Sequence, residues 1–406
     1  MGRVREIHRL RRRVRVGTPD PSLTPVSGMA AVTELVSRLG MIKLLDAAIG
    51  PIKTRDRGLS GGQLLVGLAT AQLAGEEFLV GLDRQRADAA GQVLAPVPGL
   101  SSTTAAGLAR RLSDGQWQAV ETGIGEVHAA MLAALPAARA AALCETVTID
   151  LDTTDVEVYG SHKRGVASNY QGQRCGRPHV ASWAQTATVL AADLMAGNED
   201  PRGHAAQLLS RALAALPSAA RTGRILLRAD AGYFADPRAR RRRTLRPDQR
   251  ALPIVELAEL NAVDGYSFIV TNRDVSTPNK AAAVEHWYRH RTQVENIFRD
   301  ATLGAALRHL PSGYPQINRA WMWGARLAVS IAGWLHQLTA TPEADGQLLG
   351  HGVRDGQAMI TTLRHRLIRV PARLIRHAGA LTLRLPPGYH LLETVLARLR
   401  ALPATS

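Results

Sequence analysis

The sequence predicts a mixed α/β domain flanked by helical regions. Residues 29–135 carry helical periodicity with recognisable caps. At residue 146 the character changes to short β-branched runs, TVTIDLD and VEVYG. An Ala/Leu-rich helical stretch at 202–216 then separates these runs from RILLRAD at 224–230, a largely apolar strand ending in an acid. Strands followed by a helix and another apolar strand indicate a mixed sheet.

Taken in order, residues 1–27 are basic and then rich in Pro, Ser and Thr, which reads as a flexible arm. Residues 28–143 form a helical region. MAAVTELVSRLGMIKLLDAAIG is amphipathic, and SGGQLLVGLATAQLAG opens on a serine cap and stops near Gly75. SSTTAAGLARRLSDGQWQAVETGIGEVHAAMLAAL gives two further helices, with Asp114 as the second cap. Short Arg-bearing helices suit a DNA-binding helix-turn-helix unit and a plain bundle equally. Residues 144–310 hold the α/β part: the two β-branched runs, TATVLAADLMAGN as a further strand, the helix, RILLRAD and YSFIVTN (266–272). WYRHRTQVENIFRD (287–300) reads as one helix, and Pro311-Ser312-Gly313 breaks the chain after it. Residues 311–406 are helical again, with Trp321, Trp323 and Trp334 at helical, core-like spacing. An Arg/Leu-rich tail with a strand-like LTLRL (381–385) closes the chain.

The chain of 406 residues is long enough for more than one structural unit. Its formal net charge is +16, and the positive charge is nearly all Arg, with Lys only at 43, 53, 163 and 280. A GC-biased composition would give the same excess. Clustering into Arg9–Arg15, Arg238–Arg243, Arg289–Arg291 and Arg364–Arg376 favours a polyanion partner, most simply nucleic acid. Cys144 and Cys175 have neither CxxC spacing nor a histidine cluster, so a zinc site or disulfide framework is not expected and a reducing cytoplasm fits. The basic N-terminus lacks the apolar core of a secretory signal, and no uncharged apolar run of about 20 residues is present to span a membrane.

Chemistry is concentrated at strand ends and on one helix. Asp152 closes TVTIDLD and Asp230 closes RILLRAD, where acids stand at the sheet edge at which α/β sites form. A single such Asp is more often a turn or cap residue. Two of them, with Tyr288, Arg291 and Glu295 at i, i+3 and i+7 of a downstream helix, form a less ordinary set. Hard oxygen donors without His or Cys suit Mg²⁺ or Mn²⁺. Two such ions serve phosphodiester chemistry.

This combination resembles the bacterial insertion-sequence transposases of the DDE type, and within them the insertion sequence thirteen-eighty group. Asp-x-Thr after a strand, the second Asp after an apolar strand, and Tyr-x2-Arg-x3-Glu carry the resemblance. It extends to EVYGSHKRGVASNYQGQ (157–173), LRHLPSG (307–313) and RDRGLSGGQLLVGLATAQLAGEEFLVGLD (55–83), and so covers nearly the whole chain. The resemblance implies an RNase H-like catalytic domain with Asp152, Asp230 and Glu295 as ligands to two Mg²⁺ or Mn²⁺ ions. Asp150, at the same strand end, stays open as the alternative first ligand. It implies Tyr288 and Arg291 as contacts to the DNA strand near the cleaved phosphate. Further implications are double-stranded DNA as substrate (terminal inverted repeats and target), a homodimer on paired ends, and action in the bacterial cytoplasm at the nucleoid.

Two departures stand out. The family's Lys seven residues after the Glu is Thr302 here, with Arg299 or Arg308 as substitutes for its phosphate contact. Asp230 and Glu295 are only 65 residues apart, so the insertion after the second Asp (about 237–272) is shortened, and GYFAD (232–236) runs directly into PRARRRRTLRPDQ. Arg240, Arg241 and Arg242 in that run have the charge density of a phosphate contact. These departures keep a second expectation in play: a relic that binds DNA without cutting it. Leu59-Ser60-Gly61-Gly62-Gln63 spells an ABC-ATPase signature, but no P-loop accompanies it. Tyr288 as a recombinase nucleophile would leave the acids unexplained.

Overall fold

The computed structural model describes residues 15–54, 57–233, 269, 271–289, 292–340 and 359–403. It shows a mixed α/β protein of RNase H-like class, with a mixed sheet and many helices. Strand β2 (Thr146–Thr153) lies between β5 (Arg174–Trp183), antiparallel to it, and β7 (Arg224–Ala229), parallel to it. Strand β6 (Thr188–Ala196) pairs antiparallel with the far side of β5. Two short strands, β3 (Val156–Glu157) and β4 (Ala167–Ser168), extend β5. β2, β5 and β6 are thus a meander. The step from β6 to parallel β7 needs a crossover, which a helix at Pro201–Ala215 provides, begun by an Asp200 cap and Pro201 in its first turn.

The N-terminal helices follow their caps. Helices α1 (Met29–Arg38) and α2 (Met41–Ile49) are amphipathic and bury Val32, Leu35, Met41 and Leu45. Helix α3 (Gly61–Leu73) starts with a capping box in which Ser60 and Gln63 bond each other's backbone amides. Helix α4 (Asp114–Ala134) starts with the same device from Ser113 and Gln116. The cap is therefore Ser113, one residue before the expected Asp114, which occupies the first helical position and pairs with Arg319. Nearly every residue of α3 is buried, so this helix cannot enter a DNA groove.

What buries α3 is helix α8 (Pro315–Thr339), itself buried along almost its whole length. The two cross closely at Gly324, where a Cβ would come within 2.5 Å of Gln72 Oε1 and 2.9 Å of Leu68 Cβ. Trp321, Trp323 and Trp334 are all core, and Trp321 donates its indole N–H to Ala306. On its other side α8 meets the sheet, where Ser330 Oγ accepts the Val189 amide at 3.0 Å. One apolar core accordingly runs from the N-terminal helices through α8 to the sheet. A small second sheet, β1 (Leu23–Thr24), β8 (Ala372–His377) and β9 (Ala380–Arg384), ties the start of the described chain to its end.

The longest strand, β5, was not legible in the sequence. Pro178, Gly176 and several polar residues break the alternation that marks a strand. Of the expected strand at 266–272, residues 269, 271 and 272 are described and are not in a strand; the other four lie outside the described residues. Among the described residues nothing pairs with the outer edge of β7. Cys144 and Cys175 are free thiols. No helix among the described residues is long and apolar enough to cross a membrane.

Candidate active site

The parallel register of β2 and β7 runs from Thr146↔Arg224 to Leu151↔Ala229. One step further stand Asp152 and Asp230, so two acids distant in sequence occupy adjacent carboxyl ends of parallel strands. Asp152 is 8% exposed, and its Oδ1 accepts the Thr153 amide at 2.8 Å. Asp230 starts a single 3-10 turn, Ala231–Tyr233, and its Oδ1 accepts the Gly232 amide. Gly232 is required for that approach, because a Cβ there would lie 2.7 Å from the same carboxylate oxygen.

Asp150 has a different role. It is completely buried, and Arg228, directly opposite on β7, grips both its oxygens (Nε–Oδ1 2.6 Å, Nη2–Oδ2 2.8 Å). A bidentate guanidinium is the strong form of this pair. The third arm of Arg228, Nη1, donates to the carbonyl of Trp287 at 2.8 Å, and its guanidinium lies 5.3 Å from the Trp287 ring centre. Arg228 was not singled out in the sequence, although an Arg inside an apolar strand, matched by an Asp inside another, is the signal that could have found it.

Trp287 and Tyr288 sit near the end of helix α6 (Pro278–Arg289), and the Tyr288 hydroxyl donates to the carbonyl of Ala229 at 3.3 Å. Helix α6 is therefore fastened across the end of β7, one residue before Asp230. Glu295 lies in the helical segment α7 (Thr292–Arg299); residues 290 and 291, between it and α6, lie outside the described residues. Arg291 lies outside the described residues, as do Arg240, Arg241 and Arg242. Val294, Ile297 and Phe298 bury one face of α7, while Glu295 is exposed. Arg299 is exposed and donates to Asn296 Oδ1 at 2.6 Å. Thr302 falls in a π-turn, Asp300–Gly304, and Arg308 pairs with Glu77.

Two aromatic rings lie next along the chain from the acids and their pairing partners. His179, paired in register with Thr153, is fully buried, and burial lowers its pKa to about 4, so the ring is neutral. It lies 5.7 Å, centre to centre, from Tyr233, three residues after Asp230. The structure thus brings Asp152, Asp230 and Tyr288 together. Among the described residues no three of His, Cys, Asp or Glu are gathered closely enough to share an ion.

The family model described as transposase DDE domain group 1 matches residues 8–240 and 254–404. The chain belongs to this family. No curated protein matches it. The transposase leaves the family pattern at residues 241–253, within the segment that the sequence marks as shortened. DDE transposase domains act on DNA and use divalent metal ions. The donor chemistry here fits such an ion: Mg²⁺ is commonly held by one or two carboxylates, with waters and substrate phosphates completing its shell. Asp152 and Asp230 offer that pair of hard oxygen groups.

Proposed function

We propose that this transposase cleaves a phosphodiester at the ends of its element and transfers the freed 3′-hydroxyl to target DNA, with Asp152, Asp230 and Glu295 as the metal ligands. The observation that carries this reading is the placement of Asp152 and Asp230 on neighbouring parallel strand ends, with the helix bearing Tyr288 fastened beside them. When bound, divalent ions activate the attacking oxygen and stabilise the leaving one. Asp152 is preferred to Asp150 because the guanidinium of Arg228 engages both Asp150 oxygens. Tyr288, held one residue from Asp230, is placed to orient the DNA strand, with Arg291 as its bidentate phosphate partner. Arg299 and Arg240–Arg242 add phosphate contacts. Glu295, on the exposed face of α7, is the third member of the proposed set. The spacing of Tyr288, Arg291 and Glu295 supports membership of the insertion sequence thirteen-eighty group, acting as a dimer on paired ends in the bacterial cytoplasm.

Asp230→Asn tests the assignment. The variant should lose Mg²⁺-dependent nicking of terminal-repeat DNA while binding that DNA nearly as well as the parent. Retained nicking would sink the role given to Asp230. A second reading, a relic that binds DNA without cutting, is favoured by the exposed Glu295 and the ungathered acids. It predicts that the unaltered protein binds terminal repeats yet never cuts in Mg²⁺ or Mn²⁺.

A further inference from the structure

From Gly356 to Leu392 the chain contains no Asp or Glu, but it carries Arg364, Arg366, Arg369, Arg373, Arg376 and Arg384. Two of these serve the fold. Arg364 caps the carbonyls of Gln72 and Leu73 at 2.8 Å each, and Arg369 caps Ala74 at 2.7 Å, where the carbonyl end of α3 favours positive charge. Arg373, Arg376 and Arg384 do not share this task. They lie exposed on the β8–β9 hairpin.

The hairpin is an ordered finger with a fixed root. Ser27 Oγ donates to the Val370 carbonyl at 2.7 Å, β1 pairs with β8, and Leu374 and Leu383 pack against the core. Residues 376–382 are all exposed. Its turn has positive φ at both Ala378 (48°) and Gly379 (78°), the condition of a type I′ turn, whose twist matches that of the strands. Alanine in that conformation costs about 1–2 kcal/mol.

The register sets Arg373 directly opposite Arg384. Like charges facing each other across a ribbon are destabilising. Asp20 meets Arg373 at 3.0 Å and is the one acid paired with the hairpin among the described residues. A rigid, twisted ribbon that concentrates positive charge at some cost to its own stability is complementary to a polyanion. A two-stranded ribbon fits the major groove of duplex DNA.

We infer that the β8–β9 hairpin is a DNA-binding finger that contacts duplex phosphates through Arg373, Arg376 and Arg384, away from the catalytic acids. This inference rests on DNA as the substrate of the family and on nothing in the cleavage chemistry.

The test uses the full-length protein with Arg373→Gln, Arg376→Gln and Arg384→Gln combined. Its affinity for fluorescent duplex DNA is measured by anisotropy across a salt series. Each lost phosphate contact lowers the slope of log K against log salt by about 0.9, so the triple variant should lose roughly 2–3 units of slope. Its affinity at low salt should fall about tenfold or more. Melting temperature should stay nearly level, because losing the Arg373–Arg384 repulsion offsets losing the exposed Arg373–Asp20 pair, worth about 0–1 kcal/mol. The matching triple Lys variant should restore the slope, since phosphate contact needs charge and not guanidinium geometry. An unchanged slope in the Gln variant overturns the proposal. An unchanged slope with lost retention on polyglutamate also overturns it and assigns the finger to an acidic protein. If the parent protein shows no salt-dependent DNA binding, the family reading of the substrate fails as well, and that outcome is visible before any variant is made.

Discussion

Arg228 joins three elements through one guanidinium: β7, which carries it, β2 through Asp150, and α6 through the Trp287 carbonyl. Three charge-assisted hydrogen bonds of 2.6–2.8 Å converge on it, and both partners of the ion pair are almost fully buried. Replacing Arg228 with Met keeps the length of the stem and removes the charge. The Asp150 carboxylate then remains at 0% exposure without the guanidinium that neutralises it. Breaking a buried pair from one side costs about 3–5 kcal/mol, a large share of the roughly 5–15 kcal/mol that keeps a protein folded. Replacing both members with apolar groups removes the stranded charge, so Asp150→Leu with Arg228→Met should recover most of that loss. Arg228→Lys should fall between, because an ammonium cannot hold both Asp150 oxygens and the Trp287 carbonyl in one plane. Urea denaturation at pH 7.5, followed by circular dichroism, measures all four proteins. A loss below about 1 kcal/mol for Arg228→Met, or a double variant no more stable than the single, would refute the argument.

Two further outcomes follow from groups near the site. Burial pushes the Asp300 carboxyl up to about 7, although it accepts the Ile360 amide at 2.9 Å and feels Arg299 and Arg364. The folded protein therefore holds a proton that the unfolded chain releases near its ordinary 3.8, so stability falls as pH rises between these values and is level above about 7. Asp300→Asn removes this penalty and should raise the unfolding free energy in urea relative to the parent at pH 8 by more than at pH 5, by a few kcal/mol at most, given about 1.4 kcal/mol per unit. Equal differences at the two pH values would contradict it. Gly232→Ala places a Cβ 2.7 Å from Asp230 Oδ1, so the carboxylate must move. Misplacement by about 1 Å costs up to roughly 100-fold in rate, so DNA nicking should fall steeply while the melting temperature changes little. Unimpaired nicking would mean that the Asp230 carboxylate need not sit where the turn holds it.

Much of this arrangement could be read from residue patterns. Strands that end in acids were found because an apolar run stopping at Asp is a local signal, as in β2 and β7. Their adjacency is not local. It depends on the direct parallel pairing of β2 with β7, across a helical crossover, in a register that no spacing encodes. Choosing between Asp150 and Asp152 was undecidable from the sequence, since both lie on the same strand face. A residue 78 positions away, Arg228, separates them. The three Trp of α8 read as core from their helical spacing, with DNA stacking as the lesser alternative, and the helix is buried on nearly all sides. The hairpin was half legible. LTLRL has the alternation of a strand, whereas ARLIRH carries Arg373 and Arg376 on opposite faces, which breaks it.

The bond from Ser27 to Val370, across 343 residues, also constrains how the molecule is made. At about 5–20 residues per second, roughly 20–70 s separate the synthesis of these partners. Through most of that interval α3 has no α8 to cover it and β1 has no β8, so the N-terminal helices emerge from the ribosome with unsheltered apolar faces. A nascent chain cut short by a frameshift or early stop would never acquire its lining. It would keep that apolar surface exposed, the condition under which proteases and chaperones act on a chain.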